Sequence, residues 1–433
     1  MREELKKYAQ EAYEIVEYSA NEIGQRVPGG DGEKKMHDYM SGKLKEIGLK
    51  PVSEKFIFAP FSSIGGLPYA GWGGIVITIL TFLSAMLFHL IPTASMAIQY
   101  ISVVYGLTLW TWVICSVFKY KTWFDWCFKQ EASQNTYAEL LPVDGKYDYT
   151  IFLSGHTDTS WTLKHSAIKS KLNPAFIYIK IGLGAIGVVI ATALSIAWFV
   201  ILMIMFYGNG GVAADVPYVM WHVIVYSAPV VAAFAFLLTL YRERNPRAAS
   251  PGAMDNATGV AIAYETVKYF KENPDRMPKN CRIVDVNCGA EEAGLRGSMA
   301  FVRNHKHDGM LDNAYHINID SIADRDYFEV IHGDAWLCRH FDKDLEKWST
   351  DAMLEAGIEK PGRMSNPVGG CDSTPFMKAG VKSITLAAQN PIMSNYYHTL
   401  YDVPERFDAD VVGLGLDVVL RVIDKIADRE SKK

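Results

Sequence analysis

Two histidines and a set of carboxylates recur where β-like runs end. Tyr-Thr-Ile-Phe-Leu-Ser-Gly leads into His156-Thr-Asp158, and Ser-Pro-Gly-Ala-Met precedes Asp255-Asn256. Val-Asp-Val-Asn-Cys-Gly-Ala ends in Glu291-Glu292, Tyr-His-Ile-Asn-Ile ends in Asp320, and Asn-Tyr-Tyr leads to His398-Thr-Leu-Tyr-Asp402. Imidazole nitrogen and carboxylate oxygen together suit zinc or another divalent first-row ion, and the shortage of Cys at these points argues against a closed structural zinc site. Each piece alone reads otherwise: His-x-Asp is a common hydrogen-bonded pair, and paired glutamates commonly form a solvated face. Adjacent strand residues point to opposite faces, so Glu291 and Glu292 can share one site only if the backbone turns, and Gly289 suggests where.

The elements that would carry these residues alternate in type. Strands are expected at Glu54–Ala59, Thr136–Leu141, Tyr149–Ser154, Arg282–Cys288, Ala314–Ile319, Glu329–His332 and Ser383–Ala387. Helical spacing appears near Leu5–Val16 and Met36–Ile47, and again near Gly259–Lys271, Leu295–Lys306, Lys343–Glu355 and Asp408–Arg429. Such alternation predicts an α/β sandwich around a mixed, mainly parallel sheet, and in such sheets ligands gather where strands end.

Charge is unevenly spread. No Asp, Glu, Lys or Arg lies between Lys55 and Lys119, between Lys180 and Asp215, or between Asp215 and Arg242. A membrane-crossing helix needs about 20 apolar residues. The silent stretches divide at His89–Thr93 and at Gly208–Gly211, which predicts four transmembrane helices at about Tyr69–Leu90, Ala94–Phe118, Pro174–Tyr207 and Tyr218–Tyr241. They form two inserted hairpins, residues 67–118 and 173–241, that interrupt one polar domain made of residues 1–66, 119–172 and 242–433. Lys119, Lys121, Lys164, Lys169, Lys171, Lys180, Arg242, Arg244 and Arg247 flank the hairpins on the side of the polar domain, and the tips carry no Lys or Arg. The positive-inside rule then places the polar domain in the cytoplasm. The chain opens Met-Arg-Glu-Glu-Leu-Lys-Lys, so no signal peptide is expected. A net charge of −5 leaves no basic footprint for nucleic acid, and six cysteines without paired spacing indicate no disulfide framework.

Taken in order, S-G-H-T-D-T, G-A-M-D-N-A-T-G-V-A, G-A-E-E-A-G-L-R-G-S, N-I-D-S and Y-H-T-L-Y-D resemble the co-catalytic zinc aminopeptidases, metallopeptidase family 28. That family includes bacterial leucyl aminopeptidases, glutamate carboxypeptidase-like enzymes and glutaminyl cyclases. The resemblance implies two divalent metal ions, zinc by family, bridged by Asp255. His156 and Asp320 would complete one site, and Glu292 and His398 the other. It further implies Glu291 as general base toward a metal-activated water, Asp158 behind His156, and a cis peptide at Asp255-Asn256. Gly-Gly-Cys371-Asp372-Ser-Thr-Pro-Phe resembles the family's Ser-Asp-x-x-Pro-Phe loop, with Cys371 in place of Ser; it reads equally as a plain turn or as a substrate contact through Asp372, and Tyr397 is a second candidate contact. Cys371 is not expected to be a nucleophile, since no histidine is left to serve it.

The implied activity is removal of the N-terminal residue from peptides, hydrophobic ones included, at a lipid bilayer. Two other readings use the same fold: an amidohydrolase of N-acyl or lipid-linked amino acids, and a non-catalytic membrane scaffold. The hairpins would serve either to anchor the site or to present it to apolar substrates.

Overall fold

The computed structural model describes residues 1–162, 175–208, 215–240, 249–366, 369–390 and 396–433. The flanking residues Lys164, Lys169, Lys171, Arg242, Arg244 and Arg247 lie outside them. The chain divides into two compact units, one of residues 1–60, 125–171 and 243–433, the other of residues 61–124 and 172–242.

In the first unit the described strands form one sheet: β1 (Val52–Phe58), β2 (Glu131–Leu140), β3 (Tyr149–His156), β4 (Cys281–Cys288), β5 (Ala314–Ile322), β6 (Phe328–Asp334), β7 (Arg339–His340), β8 (Gly362–Asn366) and β9 (Lys382–Ala388). Their order is β1-β2-β4-β3-β5-β9-β6-β7, with β8 against β6. The middle strands β4, β3, β5 and β9 are parallel, and β1, β2 and β7 join antiparallel, as does β6 where it meets β9. Every residue of β3 and β4 is buried, as expected where both faces of a sheet are covered. The pleat sends alternate side chains to opposite faces. Ile151 and Leu153 therefore join a large apolar cluster with the helices Lys6–Tyr18, Asp31–Glu46, Gly259–Glu272 and Ala409–Glu430. Phe152, between them, packs on the other side with Phe301 of Arg296–Asn304 and Phe376 of Ser373–Lys378. The result is the αβα sandwich around a mixed, mainly parallel sheet that the sequence predicts. Two pieces escape the pattern. β7 has two exposed residues, and no residue of β8 is buried, so neither shows the apolar run that marks a strand. The six cysteines are unpaired.

The second unit holds four helices long and apolar enough to cross a membrane: Ile64–Leu87, Pro92–Phe118, Ile179–Tyr207 and Asp215–Thr239. Small residues let them approach: a Cβ on Gly187 would meet Ala235 N at 2.4 Å, and one on Gly184 would meet Leu238 N at 2.7 Å. Polar side chains face one another between these helices. Gln99 Nε2 donates to Ser195 O at 2.7 Å and lies 2.9 Å from Ser195 Oγ, Ser102 Oγ lies 2.9 Å from Ser195 Oγ, and Trp110 donates to Thr192 at 2.9 Å. Small residues and interhelical hydrogen bonds are the usual means of helix association in lipid.

Gly155, just before His156, shows how tightly the first unit is built around its strand ends. A Cβ there would meet Val260 N at 2.5 Å and the Gly259 carbonyl carbon at 2.6 Å, both main chain. Gly155→Ala is expected to cost about 1–3 kcal/mol of stability, the usual penalty of overpacking. Gly42→Ala, in a helix with nothing within 4 Å of the added methyl, is expected to be neutral or to stabilise by up to about 1 kcal/mol. Denaturant midpoints of the two variants, followed by circular dichroism, check the contrast.

Candidate metal centre

The sheet delivers the expected residues to one place. His156 is the last residue of β3, and Asp320 lies near the end of the neighbouring β5. Glu291 and Glu292 follow β4, and Asp255 comes just before the helix Gly259–Glu272. His398 arrives from a late loop with a positive φ of 54°. Two groups of possible metal ligands result: His156 with Asp255 and Asp320, and Asp255 with Glu292 and His398, with the ligand atoms of each group within 4.8 Å of one another. Asp255 is common to both. Its Oδ1 lies 3.1 Å from His156 Nε2, and its Oδ2 lies 3.1 Å from His398 Nε2. His398 Nε2 is also 3.1 Å from Glu292 Oε1, and His156 Nε2 is 3.8 Å from Asp320 Oδ1. Side-chain exposure rises from 2% at His156 and 5% at Asp255 to 18% at Asp320 and 28% at His398, so the centre opens to solvent on the latter side.

The main chain is held by a frame of buried polar side chains. Asn256 Nδ2 donates to Ile319 O at 2.8 Å, and its Oδ1 accepts from the N–H groups of Gly259 and Ser321, which ties the Asp255 segment to the end of β5. The Asp255-Asn256 peptide is cis, as the resemblance implies. Asp402 accepts from Met254 N at 2.7 Å and Asp255 N at 3.1 Å, so the Tyr-His-Thr-Leu-Tyr-Asp segment also holds Asp255. Burial, and then the charge of Asp255, pushes the Asp402 carboxyl up to about 7.

Asp158 does more than the expected support of His156. His156 Nδ1 faces the main-chain carbonyl of Asp158 at 3.1 Å and its carboxylate at 3.6 Å. The two carboxylate oxygens instead accept the N–H groups of Glu291 and Glu292, each at 2.9 Å. The chain turns there through Ala290, whose φ is 51°, and Ala290 N–H donates to Glu33 Oε1 at 2.7 Å. Glu33, from the helix Asp31–Glu46, also accepts from Gly29 N and Ser133 Oγ. Burial and the nearby Asp158 charge push its carboxyl up to about 8. This is how two adjacent glutamates come to one centre. Glu33 is a residue that sequence reasoning missed, because a lone Glu on a helix carries no sign that it will bond main chain.

Tyr397 is at the centre: its ring stacks on His398, with centroids 3.8 Å apart. Asp372, the other expected substrate contact, is fully buried. Burial pushes its carboxyl up to about 6, against the pull of His156. Cys371 is buried, with its Sγ 2.9 Å from Thr385 Oγ1, in keeping with a thiol that packs and does not react.

The donor set fits divalent cations. Each group offers three nitrogen or oxygen ligands and no sulfur, the number that leaves a position open for substrate or water. Glu292 Oε1 is buried, and among the described residues its near polar neighbour is His398 Nε2, 3.1 Å away. Around the two imidazoles stand Asp158, Asp255, Glu291, Glu292 and Asp320, an excess of carboxylates. Burial opposes charge on His156, but Asp158, Asp255 and Asp320 outweigh it and raise its pKa well above 6.5. His398 is raised in the same way, burial being overcome by Glu292 and Asp255. For Glu291, burial is the largest cause of a strongly raised pKa, with His156 opposing and Asp372, Glu292 and Asp320 adding. Such a field favours a cation.

Residues 239–423 match the sequence profile of peptidase family M28. Aminopeptidase YwaD of Bacillus subtilis (strain 168) is 24% identical over 192 residues, covering 42% of this chain and 39% of that protein. The chain thus spans about two fifths of that relative's length. In structure it is similar to BSAP, a zinc aminopeptidase from Bacillus subtilis, with a TM-score of 0.56 and 14% identity over 96% of this chain and 94% of that one. A glutaminyl cyclase from Fimbriiglobus ruber superposes with a TM-score of 0.51 and 12% identity, covering 96% and 94%. At these identities the structural likeness establishes the shared fold.

A cation must displace protons that the carboxylates hold on the two imidazoles above pH 6.5. Zinc affinity is therefore expected to rise with pH, by up to about tenfold per unit for each proton displaced. Competition titrations against a chelator between about pH 6 and pH 8 check this. An affinity independent of pH would contradict it.

Proposed function

We propose that this chain, which carries a peptidase family M28 domain, is a membrane-anchored zinc aminopeptidase that hydrolyses the N-terminal peptide bond of peptides. The observation that carries the reading is the pair of three-ligand groups sharing Asp255, with Glu291 next to the ligand Glu292 in the chain and within the electrostatic reach of His156 and Asp320. His156, Asp255 and Asp320 would hold one ion, and Asp255, Glu292 and His398 the other. Two such ions would supply Lewis-acid polarisation of the scissile carbonyl and a lowered pKa for the attacking water. Glu291 takes the proton of that water and returns it to the leaving amine. Its raised affinity for a proton, set first by burial, suits the first half of that exchange, in which it accepts. Asp158 holds the Glu291 and Glu292 main chain, and so fixes where the base stands relative to the ligand beside it. The solvent-open side at His398 and Asp320 is where a peptide end would enter, with Tyr397 at its margin.

The four apolar helices support insertion in a lipid bilayer, by length and composition. With Lys119, Lys121 and Lys180 near the helix ends, the positive-inside rule favours a cytoplasmic catalytic domain. Hydrophobic peptides are the substrates most concentrated at such a surface. The complete ligand set argues against the scaffold reading, which has no use for Glu291.

Hydrolysis of free and N-acetylated peptides, with and without chelator, tests the reading. Free peptides are expected to be cleaved and acetylated ones spared, and chelation should abolish the activity. Preferred cleavage of acylated substrates would assign the chain to the amidohydrolases instead. Glu291→Gln is expected to lower kcat/KM by about 10²–10⁴-fold, with zinc content unchanged. Undiminished hydrolysis by that variant would remove Glu291 from its role.

A further inference from the structure

We propose that Arg26 is a positioning residue of this centre, clamping together the chain segments that deliver His156 and Asp255. The proposal rests on the metal-binding reading above. Arg26 precedes the helix Asp31–Glu46, is remote in sequence from every expected ligand and lies outside residues 239–423, the part that matches the family profile. It is nonetheless fully buried, among the largest side chains to be so.

Its guanidinium donates to main-chain carbonyls from three separate stretches of chain. Nε donates to Thr157 O at 2.8 Å. Nη1 donates to Pro251 O at 2.8 Å, and also reaches Gly24 O at 3.1 Å and Ser19 O at 3.3 Å. Nη2 donates to Gly252 O at 2.7 Å. Among the described residues, no carboxylate lies within ion-pair distance of it, so this is no buried salt bridge. Its backbone is engaged as well: Arg26 N–H donates to Thr159 Oγ1 at 3.0 Å, and Thr159 N–H donates to Arg26 O at 2.9 Å. Arg26 thus grips the residues on both sides of Asp158, one of them next to His156, and also the turn three residues before Asp255.

The gripped segments are in close contact. Gly252 has a φ of 65°, and a Cβ on it would come within 2.1 Å of Thr159 Cγ2 and 2.8 Å of Arg26 Nη2. A shift at this point changes the separation of His156 and Asp255, which meet at 3.1 Å. Only a planar fork with several fixed donors can serve carbonyls from separate segments at once; a lysine ammonium keeps the charge and loses the fork. Burial lowers the Arg26 pKa to about 10, with Asp402, Asp158 and Asp255 opposing, so it is cationic at neutral pH and offsets part of the anionic field.

The test compares the full-length protein with Arg26→Lys and with Thr159→Val, which keeps the arginine and removes one of its anchors. Three readouts apply: Zn2+ affinity by competition with a chromophoric chelator, the visible spectrum of the Co2+-loaded protein, and kcat and KM on a free peptide. Arg26→Lys is expected to weaken Zn2+ binding about 10–100-fold, the usual effect of losing a group that orients metal ligands. The Co2+ spectrum should change, and kcat should fall while KM stays within about threefold. Thr159→Val should move the same quantities in the same direction by a smaller factor, and decides the matter if the lysine variant does not fold. Wild-type Zn2+ affinity and Co2+ spectrum in the folded variants, even with lowered thermal stability, would overturn the proposal. A wild-type chain that takes up no metal would overturn the centre itself, and this proposal with it.

Discussion

The carboxylate of Asp255 stands between two imidazoles, with one oxygen 3.1 Å from His156 and the other 3.1 Å from His398. Sharing one small side chain between two ligand groups forces four stretches of chain to meet within a few ångströms: the end of β3, the turn after β4, the end of β5 and a late loop. Each stretch arrives with main-chain N–H or carbonyl groups that cannot reach water. Buried polar groups need partners, and here the partners are side chains recruited from elsewhere. Asn256 serves the end of β5, Asp402 serves Asp255, and Asp158 with Glu33 serves the glutamate turn. The catalytic reading and the fold therefore share one set of hydrogen bonds.

The same crowding explains the electrostatics. Burial and like charge push the Glu291 and Glu292 carboxyls up, and the carboxylates hold protons on the two imidazoles, which in turn hold the Asp255 carboxyl down against its burial. A divalent cation in each group would relieve both effects. Glu291, the one carboxylate of the turn outside both ligand groups, owes its raised affinity for protons first to burial and then to its anionic neighbours, and is free of the ligand role.

Much of this was legible in the sequence, for a definite reason. Strands buried on both faces read as apolar runs, and a His or Asp that ends such a run stands out, as His156 and Asp320 do. The four long apolar helices were marked as clearly, by missing charge. Glu33, Arg26 and the carboxylate role of Asp158 were not legible, because all three bond to main-chain groups, and no side-chain pattern announces a bond to an amide or carbonyl. The turn that brings both glutamates inward was legible from Gly289 just before them; its left-handed residue is Ala290, whose N–H the Glu33 carboxyl accepts. β7 and β8 escaped notice because short exposed strands have no apolar face to reveal them. The polar contacts of Gln99 and Ser195 were hidden among residues that read only as uncharged.

Metal content per chain tests the shared carboxylate most directly. Elemental analysis of purified protein, after loading with zinc and removal of the excess, is expected to find two ions in the wild type. Asp255→Ala should lose both, because its carboxylate belongs to both groups, whereas His398→Ala should lose one and keep the other. An Asp255→Ala protein that retained two ions, or a wild type that held none, would contradict a centre built on that side chain.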